Sequence, residues 1–169
     1  MKKILILFTS LLLLSCSSDD NANSNPTPTG SNTVYFTLDD KLYSSEFPTA
    51  AIDNKSITVS DNVFSINLRI INDKGVVTLT LFTGEKIEEG KSYQIHEQRI
   101  QDGFFVQNSL LSQPSTSFDC KTSAEFKGTV SIVKLDYENR IVAATFSYDA
   151  VDRKQNVHKV RNGWFDLKF

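Results

Sequence analysis

The chain has 169 residues, with 18 Lys and Arg against 20 Asp and Glu and a net charge of −2 at neutral pH. Lys and Arg are dispersed among acids with no run longer than two, which argues against nucleic acid as a partner, because displacing counterions from phosphates needs clustered basic groups. The length suits one domain able to bury a sizeable core.

The N-terminus carries an address. Lys2 and Lys3 form a positive n-region and Ile4 to Leu14 an apolar h-region, and Leu13-Leu14-Ser15-Cys16 closes it as bacterial lipoprotein processing requires. The apolar run falls short of the roughly 20 residues of a spanning helix. Residues 1–15 are therefore expected to be a signal peptide, with Cys16 acylated as the mature N-terminus. Each buried CH₂ contributes about 0.8 kcal/mol, so two or three acyl chains hold essentially permanently.

Loss of Lys2 and Lys3 with the signal leaves 16 basic against 20 acidic groups, a net −4. Residues 16–32, Cys16 followed by SSDDNANSNPTPTGSN, have nothing to bury and read as a flexible tether of roughly 20–25 Å. Ser17-Ser18-Asp19-Asp20 resembles the acidic signal that sends lipoproteins of the Bacteroidota to the cell surface. The expected location is the outer membrane, lipid-anchored, with the cell surface and the periplasm both open as the side it faces.

Residues 33–169 form the expected single β-rich domain. Val34, Phe36 and Leu38 alternate with polar neighbours and turn at Asp39-Asp40-Lys41 into Leu42 and Tyr43. Ile57 and Val59 continue the period. Phe64, Ile66, Leu68 and Ile70 share one face, and Asn72 to Gly75 reverse the chain into Val77, Leu79 and Leu81. Gly84 and Gly90 bracket a polar stretch before a strand at Tyr93 to Ile95. Within Gln98 to Ser123, Phe104, Phe105 and Val106 could be a short strand, and the rest has the Ser/Pro/Thr composition of a long loop, with Cys120 a buried, inert thiol in it.

Phe126, Gly128, Val130 and Ile132 alternate again, Asp136 to Asn139 turn, and Ile141 to Tyr148 follow. Asp149 to Arg161 could hold an irregular helical turn, and Trp164 to Phe169 make the closing strand, with Gly163 supplying the turn. The fold class expected is all-β: an antiparallel sandwich or flattened barrel of roughly eight or nine strands. A membrane-spanning barrel is disfavoured, since its strands need about 9–11 residues with an unbroken apolar outer face.

Several segments resemble small surface lipoproteins of the Bacteroidota that share a domain of unknown function. Phe36 to Tyr43 resembles that family's opening hairpin, with Asp40 where glycine is usual. Gly90-Lys91-Ser92-Tyr93 is similar to its mid-domain glycine and tyrosine. Gly128 to Ile132 with Ala144 to Tyr148 resembles its paired late strands, Ala144 replacing a glycine, and Val160 to Phe165 resembles its closing turn and strand. The resemblance implies location and fold type, and brings no catalytic residue.

Chemistry is sparse. His96 and His158 are the only histidines, and no H-E-x-x-H, C-x-x-C or G-x-S-x-G spacing is present. His96 reads as a solvated strand residue and His158 as a surface one. Acid pairs at Asp39-Asp40, Glu88-Glu89 and Asp149/Asp152 suit turns better than calcium or glycosidase chemistry. No cofactor or metal is expected.

Consecutive aromatics must send one ring outward, so Trp164, Tyr43, Tyr93 and Phe104 are candidate binding residues, with Phe165 the inward ring and Trp164 facing water. The expected function is non-enzymatic: binding a glycan or a partner protein at the cell envelope. The alternatives are an accessory structural subunit of an outer-membrane complex and, less favoured, a hydrolase using His96.

Overall fold

The structure, a computed structural model, describes residues 26–46, 51–72, 75–96, 105–111 and 117–169. Eleven strands run in order: β1 (Thr33–Leu38), β2 (Lys41–Ser44), β3 (Ala51–Val59), β4 (Phe64–Asn72), β5 (Gly75–Thr83), β6 (Ser92–Ile95), β7 (Phe105–Leu111), β8 (Ser117–Lys121), β9 (Gly128–Asp136), β10 (Ile141–Asp152) and β11 (Val157–Lys168). Every pairing is antiparallel, and no helix occurs among the described residues.

The strands form two layers and not a closed barrel. One sheet has the order β2-β1-β11-β10-β9-β6, the other β3-β4-β5-β7-β8. Only the end of β10 joins them, where Val151 and Asp152 pair with Lys121 and Cys120 of β8. A sandwich is what strands with one apolar face must make, because each face is hidden only against another.

The two inner faces differ in character. From β4 and β5 come Ile66, Leu68, Ile70, Val77, Leu79 and Leu81, all fully buried. The six-stranded sheet opposes them with rings: Phe36 stacks on Tyr43 at 5.8 Å, and Phe146 lies 6.0 Å from both Phe36 and Phe165. Phe64 of β4 crosses the layer to stack on Phe165 of β11 at 6.4 Å. Ile87, inside the stretch read as polar, is fully buried with this core.

Three expectations about elements change. The Gln98 to Ser123 region, read as a loop apart from a short strand at Phe104 to Val106, holds two strands, β7 running on to Leu111 and β8, and Cys120 is a buried strand residue, not a loop one. The consecutive polar residues Gln107, Asn108 and Ser109 of β7 and the brevity of β8 hid their extent from an alternation reading. The segment Asp149 to Arg161 has no helical turn: β10 and β11 make one long hairpin whose turn is Arg153 to Asn156. Asp152 closes that turn, accepting the Lys154 and Asn156 N–H groups at 2.8 Å. Asn162-Gly163, which reads as a turn, lies inside β11 as a bulge.

The packed unit starts earlier than residue 33. Asp166 accepts hydrogen bonds from the backbone N–H groups of Thr29, Gly30 and Ser31 at 2.9, 2.7 and 3.2 Å. Gly30 is buried at φ 70°, where a Cβ would strike Ile141 and Lys168. Asn32 then accepts the Lys168 N–H at 3.1 Å and leads into β1.

Candidate functional site

The outer face of the six-stranded sheet carries the arrangement of interest. Strand pairing sets Ser44, Tyr35, Trp164, Thr145, Ser131 and Ser92 opposite one another in one row across β2, β1, β11, β10, β9 and β6. The inward partners of these strands supply the core, so the period of two leaves the hydroxyl side chains on the far face.

The β11 bulge shapes this face. The register shifts between Phe146 and Tyr148 of β10 and again between Tyr35 and Thr37 of β1, both against the Arg161 to Gly163 segment. Asn162 takes up the extra residue at φ 52°, a left-handed conformation that asparagine tolerates. Gly163 beside it is required by packing, since a Cβ there would meet the Phe146 ring and carbonyl.

Two grooves meet at this bulge. One, of about 400 Å³, is lined by Tyr35, Thr129, Ser131, Thr145, Ser147 and Asn162, with Phe146 and Gly163 at its base. The other, of about 560 Å³, is lined by Tyr35, Thr37, Leu42, Ser44, Glu46 and Asn162. Tyr35 and Asn162 belong to both. The sizes fall within the roughly 300–1,000 Å³ of small-molecule sites.

The electrostatics are those of neutral dipoles. Among the described residues, no Lys, Arg, Asp or Glu lines the first groove, and Glu46 is the single charged residue lining the second. Burial, and to a lesser degree Glu46, raises the Tyr35 phenol above its ordinary pKa, so its O–H stays a donor across the physiological range. Ser92 and Ser131 share a hydrogen bond at 2.7 Å at the far end of the row.

Of the aromatic residues expected to bind, Trp164, Tyr43 and Tyr93 line neither groove. Trp164 is 1% exposed, not water-facing: it lies on the outer face by register, yet is covered there, and its indole N–H has no hydrogen-bond partner among the described residues. An unmade bond of this kind costs about 1–3 kcal/mol. Tyr43 is 2% exposed and stacked in the core on Phe36, because Leu42 takes the outward position of β2. Tyr93 packs half-buried against the core, its hydroxyl accepting the Glu88 N–H at 2.8 Å. Phe104 lies outside the described residues, as does Cys16.

The histidines are apart. His96 follows β6, and its carbonyl accepts the Thr122 hydroxyl. His158, read as a surface residue, is only 14% exposed at its side chain. Its Nδ1 is 2.7 Å from Asp39 and its Nε2 3.6 Å from Asp152, so it bridges the turn between β1 and β2 to the turn between β10 and β11. Asp149 pairs instead with Arg161. Among the described residues, no group of three or more His, Cys, Asp or Glu could hold a metal ion.

Sequence reasoning passed over Tyr35 and Asn162, the two residues common to both grooves. Tyr35 reads as the polar partner of Val34 and Phe36, and Asn162 as half of a turn. The signal available was Asn-Gly within an otherwise strand-like run, which marks a bulge as readily as a hairpin. The fold and face define an all-β sandwich with a neutral, hydroxyl-lined outer groove. No protein-family model, no curated protein and no solved structure matches the chain.

Proposed function

We propose that this chain is a membrane-anchored bacterial lipoprotein, non-enzymatic, whose sandwich binds a glycan or a partner protein at the cell envelope. The anchor is Cys16, and the resemblance to surface lipoproteins of the Bacteroidota agrees with an outer-membrane location. The observation that carries the binding reading is the meeting of two grooves at Tyr35 and Asn162 on the outer face. The bulge interrupts the central pairing of the sheet at this point, and bulges are over-represented next to functional sites, where they re-aim side chains.

The anchor is tested by fractionating cells that express wild type and Cys16→Ala. The wild type partitions with membranes and has an N-terminal mass increased by acyl chains, while the variant appears in the soluble fraction. Membrane retention of the variant refutes the anchor. Protease added to whole cells then reads orientation, with digestion of the wild type, and protection after replacing Asp19 and Asp20 by Ala, as the expected pair. For binding, a photoreactive side chain at Ser147, exposed beside the groove, should capture an envelope component that the same group at exposed Lys127 does not.

A further inference from the structure

We infer that the grooves at the β11 bulge take a neutral glycan, held by Asn162 and the hydroxyls of Thr145, Ser131 and Ser147, with the Tyr35 ring against a sugar face. The inference rests on the binding reading above and names its ligand class.

Three features select this class. Each serine, threonine and tyrosine hydroxyl can both donate and accept, and the Asn162 amide adds two donors and a carbonyl, which is the complement of a sugar's own hydroxyls. Among its described lining residues the first groove holds no charged side chain, so neither an acidic nor a basic ligand finds a counter-charge on them. The centre of a protein–protein interface is more apolar and poorer in charge than its rim. The large exposed apolar side chains among the described residues are Leu42, Val133, Tyr137 and Val157, and of these only Leu42 borders a groove.

The bulge brings the parts together: by inserting Asn162 between Arg161 and Gly163, it places one amide in both grooves, so a ligand of more than one sugar can run from one to the other.

The test uses the full mature protein, extracted in mild detergent, on an array of defined neutral oligosaccharides, uronate-bearing glycans and sialylated glycans. Binding is expected for neutral members and at least ten-fold weaker in Asn162→Gly. That change keeps the left-handed backbone and removes only the amide. Thr145→Val, which keeps the shape and removes the hydroxyl, should weaken binding several-fold with an unchanged melting temperature.

Binding confined to charged glycans, or neutral binding unaffected by both variants, overturns the inference. If neutral glycans fail while the Ser147 crosslinker still captures an envelope protein, the ligand class is refuted and the binding reading stands. Failure of both removes the two together.

Discussion

Asp166 accepts the Gly30 N–H at 2.7 Å, and through this contact the segment before β1 is fastened to the last strand of the domain. The carboxylate is 3% exposed and also receives the Thr29 and Ser31 N–H groups and the Ser31 hydroxyl. A buried acid survives there because three backbone donors converge on it. The start of the folded unit is thereby fixed on the outer face of the six-stranded sheet, the face that carries the grooves.

The first prediction follows from the sign of this interaction. Burial alone would raise the Asp166 carboxyl, but the N–H groups of Thr29, Ser31 and Gly30 and the Ser31 hydroxyl outweigh it and hold it below the usual range. A depressed folded-state value contributes stability above the unfolded value of about 3.9, and that contribution is lost as pH falls through the folded value. Asp166→Asn should cost about 1–3 kcal/mol at pH 7. In denaturant titrations the gap between wild type and variant should narrow as the pH drops below about 4, and a gap independent of pH would refute the assignment.

Asp39 and Asp40 make opposite predictions although they are neighbours in one turn. Both have positive φ, 49° and 63°, as a two-residue hairpin of the tightest kind requires. Asp40 pays the left-handed penalty, and Asp40→Gly should raise stability by about 0.5–1 kcal/mol after the glycine's own entropy is counted. Asp39 additionally accepts the Lys159 N–H at 2.9 Å and meets His158 at 2.7 Å. Asp39→Gly should therefore lower the melting temperature, and equal effects of the two substitutions would mean that the His158 bridge contributes nothing.

Trp164 supplies a spectroscopic check. With the indole covered, its emission should be strongly blue-shifted, where a water-facing ring would emit near the free indole position. Trp164→Ala and Phe165→Ala should each cost about 3–5 kcal/mol, because both sides of β11 are packed at this point. A near-neutral Trp164→Ala with red emission would restore the sequence-based orientation.

The hairpin of β4 and β5 was legible residue by residue: all seven apolar side chains that alternate from Phe64 to Leu81 are fully buried. The turn at Asp136 to Asn139 was equally plain, and Asp136 caps it through the Asn139 backbone and amide, which hold its carboxyl low. What escaped has a physical reason in each case. Strand β8 places Asp119 between Phe118 and Cys120, so its alternation is too short to separate from a polar loop. In β11 the bulge slips the phase of alternation at Asn162, so inward Val160 and inward Phe165 are an odd number of residues apart. Trp164 could not be judged because its cover lies on the outer face, which alternation treats as solvent.

Amide hydrogen exchange of the mature protein, with and without a neutral oligosaccharide fraction prepared from envelopes, reads the binding face strand by strand. Added protection is expected in β1, in the Arg161 to Phe165 part of β11 and in the paired segments of β9 and β10, with β4 and β5 unchanged. Protection confined to β3, β4 and β5, or none on any strand of the six-stranded sheet, would contradict the assignment of the outer face as the binding surface.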